Sequence, residues 1–154
     1  MKYMSLKIED IMVKEVITID EGSTVKEAAD VMNRFEIGCL IVTDNGKAVG
    51  IITERDLLKR VISQAKNSRR TKVSVVMSRP IIVVEPDMDL EEAAKLMFKL
   101  KIKKLPVVES GQLKGLVTLS DLARFQPQMI RILKKLSKQM APKRMQKVVQ
   151  YYVV

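Results

Sequence analysis

The chain repeats itself. Shifted by 65 positions, residues 12–57 lie on residues 77–122 without a gap. Identical pairs include Met12/Met77, Ala28/Ala93, Ala29/Ala94, Met32/Met97, Ile37/Ile102, Leu40/Leu105, Val42/Val107, Gly46/Gly111, Gly50/Gly115, Thr53/Thr118, Asp56/Asp121 and Leu57/Leu122. Most other positions exchange apolar for apolar or polar for polar. Such a duplication requires a unit that folds twice and leaves an apolar face for its twin to cover.

Each copy carries the same order of signals. A short apolar strand (VITI, 16–19; IIVV, 81–84) comes first, then a turn. An amphipathic helix follows, with Val25, Ala28, Ala29, Val31, Met32 and Phe35 on one stripe, and Leu90, Ala93, Ala94, Leu96, Met97 and Leu100 on its counterpart. Ser23 or Thr24 and Asp89 are suited to cap these helices. Two apolar strands then flank Asn45-Gly46 and Ser110-Gly111, pairs that tolerate the positive φ of a tight hairpin. A second helix opens at Thr53 or Thr118. The fold expected is α+β: two β-α-β-β-α repeats related by a pseudo-twofold axis and sharing one core. The expected divisions are a first repeat at 8–62, a polar linker at 63–72, a second repeat at 73–125 and a basic helical extension at 126–154.

The strand-to-helix junctions GIITERDLL (50–58) and GLVTLSDLA (115–123) share Thr-x-x-Asp. Two readings fit that spacing. The threonine hydroxyl and the aspartate three residues on form a capping box, closing the free N–H groups of a first helical turn. Alternatively the helix start seats a phosphate and the carboxylate accepts hydrogen bonds from ribose hydroxyls. The copies differ here: Arg55, a candidate phosphate partner, has Ser120 as its counterpart.

Composition narrows the chemistry. With no histidine and one cysteine, Cys39, the chain has no imidazole ligand, no Cys–His or Ser–His pair and no internal disulfide. Cys39 sits in an apolar run, as a small buried hydrophobe does. These absences argue against an enzyme. No apolar run approaches bilayer length and the N-terminal residues lack a secretory core, so a cytoplasmic protein is expected. The net charge of +10 is uneven: residues 1–65 carry nine Lys/Arg against eleven Asp/Glu, and residues 126–154 carry seven against none.

The element order, the tandem copy and the phrase G-h-h-T-x-x-D-L resemble a pair of cystathionine β-synthase (CBS) domains, a Bateman module, over residues 8–125. The resemblance implies an adenosine-ligand-binding regulatory module, with AMP, ADP or ATP (less readily S-adenosylmethionine) held in clefts between the repeats and no obligatory cofactor. It implies that Asp56 and Asp121 contact ribose, with Thr53 and Thr118 beside them. It places phosphate contacts at Lys103 and Lys104, where the first copy has only Gly38 and Cys39. It lines adenine pockets with Val16, Thr18, Ile37, Gly38, Cys39 and Leu40, facing Ile81, Val83, Ile102, Leu105 and Pro106. It further implies a homodimer and a regulated protein partner.

The extension shows a helical pattern at Met129, Leu133, Leu136 and Met140, interrupted by Pro142, with Met145, Val148, Val149 and Tyr152 continuing an apolar stripe. An amphipathic helix packed on the module or on a second subunit is expected. The alternative function is that of a nucleic-acid-binding or scaffold protein acting through this basic tail.

Overall fold

The computed structural model describes residues 6–139. The elements run α1 (Ile8–Ile11), β1 (Thr18–Asp20), α2 (Val25–Phe35), β2 (Cys39–Asp44), β3 (Lys47–Thr53), α3 (Glu54–Leu57), a π-helical turn (Leu58–Ile62), α4 (Val73–Val76), α5 (Leu90–Leu100), β4 (Lys104–Glu109), β5 (Gln112–Thr118), α6 (Leu119–Phe125) and α7 (Pro127–Gln139). The mixed α+β fold agrees with the sequence expectation, and both hairpins share one register. Cys39 faces Thr53 as Lys104 faces Thr118, each with an irregularity two thirds of the way along. Asn45-Gly46 and Ser110-Gly111 all have positive φ, as the turn chemistry requires. Thr24 caps α2, with its hydroxyl accepting from Glu27 N and the Glu27 carboxylate accepting from Thr24 N. Asp89 begins α5, and its carboxylate accepts a hydrogen bond from Lys7 Nζ at 2.9 Å.

The single expected core resolves into two clusters that exchange parts. Ile8 of α1, the first helix of the chain, is buried among Leu90, Met97, Leu105 and Leu122 of the second repeat. Val73, Val76 and Met77, in and just after α4, are buried among Val25, Met32, Leu40 and Ile52 of the first. Each leading segment therefore crosses to the other repeat. Val13 bridges Leu116, and Ser78 bridges Ile51, the same pair displaced by 65. The sequence reading had no signal for α1 and α4, because four residues are too few to show helical periodicity.

The crossing explains the glycine that opens each junction motif. A Cβ on Gly50 would stand 2.6 Å from Met77 Sδ and 3.1 Å from the Ser78 carbonyl oxygen. One on Gly115 would stand 2.6 Å from Met12 Sδ and 2.9 Å from the Val13 carbonyl oxygen. The strand must be bare there for the other repeat's segment to pass.

Of the first strands expected at 16–19 and 81–84, only the first copy's forms, as β1 shifted to Thr18–Asp20. β1 pairs in parallel with β2 over three residues, whereas the second copy keeps a single bridge, Val84 to Val107. Prolines account for the loss. Val84 N donates to the Pro106 carbonyl and Val108 N donates to the Val84 carbonyl, but the pairing on either side needs an N–H from residue 106 or residue 86. Both are proline and have none to give. In the first copy the corresponding donor at residue 86, Glu21 N, bonds Thr43 O at 3.0 Å.

Pro127 stops α6 and starts α7, which lies across α5 and α6. Ile130 is buried there and Met129 and Leu133 pack partly against the second core, while Leu136, expected on the same stripe, is exposed beside Ile132. Met140, Pro142, Met145, Val148, Val149 and Tyr152 lie outside the described residues. Among the described residues no helix is long and apolar enough to cross a membrane.

Two outcomes test the exchange. Ile8→Ala is expected to cost about 2–5 kcal/mol, and hydrogen exchange should show β4 and β5 loosening more than β2 and β3. Gly50→Ala should destabilise by about 1–3 kcal/mol through forced overlap, read as a lowered denaturation midpoint.

Candidate functional site

Both Thr-x-x-Asp corners form the capping box. Thr53 Oγ1 accepts from Asp56 N at 3.1 Å, and Asp56 Oδ2 accepts from Thr53 N at 3.0 Å. Thr118 and Asp121 repeat these distances. A strand ends at the threonine and a helix begins on the next residue, so the box closes donors that the turn leaves free.

The two carboxylates differ in their second oxygen. Asp56 is 8% exposed, and its Oδ1 accepts from Ser78 Oγ at 3.0 Å, with Arg60 Nε 4.0 Å away. Arg60 also donates to the Val76 and Met77 carbonyls at 2.9 and 3.1 Å, tying the crossing segment to this corner. Displaced by 65, Ser78 becomes Val13 and Arg60 becomes Phe125. Asp121 is accordingly half-buried, and its Oδ1 has no hydrogen-bond partner among the described residues.

A cleft of about 420 Å³ lies between the repeats. Gly38, Cys39, Ile51 and Thr53 come to it from the first repeat, and Ile102, Lys103, Lys104 and Pro106 from the second. The crossing segment and the residues just after it contribute Ser78, Pro80, Ile81 and Ile82. Lys104 Nζ donates across it to Cys39 Sγ at 3.0 Å. These two residues are counterparts in the duplication, so the pseudo-twofold axis passes between them. Among the described residues two ammonium groups and no carboxylate line this cleft, and the rest of its wall is largely apolar. Such a surface accepts a flat apolar group at one end and an anion at the other.

Of the residues expected to bind ligand, the cleft brings together Gly38, Cys39, Thr53, Ile81, Ile102, Lys103, Lys104 and Pro106, with Asp56 directly behind Thr53. Thr118, Ser120 and Asp121 occupy the equivalent corner of the second repeat; Val16 is half-buried and Thr18, in β1 of the first repeat, is exposed. Arg55 and Ser120 are both exposed. Four expected residues lie elsewhere. Leu40 and Leu105 are wholly buried in the two cores, since neighbouring strand residues face opposite sides of a sheet. Ile37 packs against the first core and faces an outer groove, and Val83 lines a hollow beside Asp87 and Asp89. Sequence reasoning missed Ile51, Ser78, Pro80 and Ile82. Ser78 carried one signal: it is polar where its counterpart Val13 is apolar.

Comparison with known proteins gives a family and relatives. A family model for the CBS domain matches residues 8–63 and again residues 73–127. The chain is 38% identical over 128 residues to the uncharacterized protein MK0525 of Methanopyrus kandleri, covering 82% of this chain and 65% of that one. It is 36% identical over 120 residues to an inosine-5'-monophosphate dehydrogenase of Methanocaldococcus jannaschii, covering 77% of this chain and 23% of the enzyme. It thus spans less than two thirds of either relative. Among solved structures, the CBS domain pair of protein MJ0100 in complex with 5-methylthioadenosine and S-adenosyl-L-methionine superimposes with a TM-score of 0.70. That pair is 31% identical, and the match covers 79% of this chain and 95% of the other.

Ser78→Ala is expected to cost about 1–3 kcal/mol by removing a donor from a buried carboxylate, measured by chemical denaturation. Val13→Ala, at the equivalent place, removes no such donor and should leave the Asp121 corner intact.

Proposed function

Because the chain belongs to the CBS domain family, with one domain in each repeat, we propose that it is a regulatory module that binds an adenine nucleotide between its repeats. The inter-repeat cleft carries this reading: about 420 Å³, apolar along most of its wall, with Lys103 and Lys104 at one side and Thr53 at the head of α3. That volume falls within the roughly 300–1,000 Å³ usual for small-molecule sites. The base packs against Ile81, Ile102 and Pro106, and the phosphate pairs with the two lysines. Ribose meets the Thr53 corner, where Ser78 Oγ must turn away before Asp56 Oδ1 can accept from a sugar hydroxyl. At the second corner Asp121 Oδ1 needs no such displacement, so the two corners are unequal toward ribose.

The lysines favour AMP, ADP or ATP over S-adenosylmethionine, whose sulfonium adds positive charge. The MJ0100 pair supports an adenosine-bearing ligand as a class, since both molecules in its complex contain adenosine. The partial match to the dehydrogenase supports a module that accompanies catalysis rather than one that performs it. Regulation follows from the construction of the site. Its walls come from both repeats, so a ligand that prefers one arrangement of those walls shifts the population toward it.

Calorimetric titration of AMP, ATP and S-adenosylmethionine tests the proposal. The nucleotides should bind, and Lys103→Ala and Lys104→Ala should each weaken them roughly ten- to a hundredfold, as loss of a charge-assisted hydrogen bond does. Asp121→Ala should weaken binding at the second corner without the cost in stability expected of Asp56→Ala. Absence of heat from every adenosine ligand would sink the reading.

A further inference from the structure

Helix α7 has two dissimilar sides. Ile130 is buried and Met129 and Leu133 pack beside it, so these three turn toward α5 and α6. The rest of the helix faces outward. Arg131, Lys134 and Lys135 are exposed there, and at 3.6 residues per turn they fall on one side of the axis. Ile132 and Leu136 stand one turn apart on the adjoining row and are 60% and 52% exposed. Phe125, the last residue of α6, is exposed beside the exposed Arg124. Each of these apolar residues follows directly on a cation: Arg124–Phe125, Arg131–Ile132 and Lys135–Leu136. Residues 122–139 contain no Asp or Glu, and among the described residues none of these four cations has an ion-pair partner.

A face that is cationic and apolar at once narrows what fits it. Nucleic-acid phosphates would answer the cations and leave Ile132 and Leu136 in water. A second copy docked through the same face would set Arg131, Lys134 and Lys135 against their own counterparts. An acidic protein helix would need a groove for two aliphatic side chains that stand on a convex ridge. A layer of anionic phospholipid meets both conditions. Its phosphates pair with the cations, and its acyl boundary receives the aliphatic side chains without a preformed pocket. We propose that the outer face of α7 seats the protein on the surface of a bilayer that carries anionic phospholipid. The helix lies along that surface: thirteen residues span about 20 Å, well short of a hydrocarbon core, and its inner side stays on α5 and α6. None of the seating residues lines the inter-repeat cleft, so the contact stands apart from nucleotide binding.

Cosedimentation of the full chain with vesicles reads the contact, one set made of phosphatidylcholine alone and one of phosphatidylcholine mixed with phosphatidylglycerol. The double variants Arg131→Gln/Lys135→Gln and Ile132→Gln/Leu136→Gln change exposed side chains only, with folding checked by circular dichroism. The wild type should sediment with the anionic vesicles and stay in solution with the neutral ones. Each double variant should raise the lipid concentration needed for half-binding roughly tenfold or more, as loss of two such surface contacts does. Absence of binding to the anionic vesicles would overturn the proposal. Undiminished binding by the apolar variant would assign the cations to polyanions such as RNA, and undiminished binding by the charge variant would place the contact elsewhere in the chain. Either result overturns it as well.

Discussion

The structure depends on two segments changing places. Residues 8–13 leave the first repeat to complete the second, and residues 73–78 do the reverse, each passing over a glycine that leaves no room for a Cβ. Met12 over Gly115 and Met77 over Gly50 fix how closely the repeats approach. Because Ile8 and Val73 are buried in the partner's core, neither repeat has a complete interior without the other. The same crossing brings Ser78, Pro80 and Ile81 into the cleft, so core and site are built by one device.

On this near-symmetric frame a few substitutions make the halves chemically distinct. Proline at 86 and 106 removes two ladder donors and leaves Val84 as a lone bridge. Serine at 78 and arginine at 60 occupy and bury Asp56, while valine at 13 and phenylalanine at 125 leave one oxygen of Asp121 free of such partners. Lysine at 103 and 104 faces glycine and cysteine across the axis and gives the cleft its positive side. Duplication supplied two equal corners, and side chains made them unequal.

Legibility in the sequence followed the range of the interactions. The capping boxes at Thr53 and Thr118, the cap at Thr24 and the hairpin turns at Asn45 and Ser110 involve residues within three or four positions, and all were visible as motifs. The lysines and Pro106 were readable as departures from the repeat. Leu40 and Leu105 were placed at the pocket because the resemblance assigns whole strand ends to it, whereas alternation along a strand sends them inward. Ser78 and Arg60 could not be paired with Asp56 from spacing alone, since the hydroxyl reaches it only after the segment has crossed.

The sequence by itself determined the duplication, the α+β order of each copy, and the caps and turns, because these rest on local backbone preferences and on residue identity. Tertiary structure alone decided that α1 and α4 trade cores, that both glycines answer to a methionine from the other half, and that α7 covers the helical face of the second repeat. Those features arise from contacts between residues far apart in the chain. Their energies depend on shape and burial that no stretch of sequence contains.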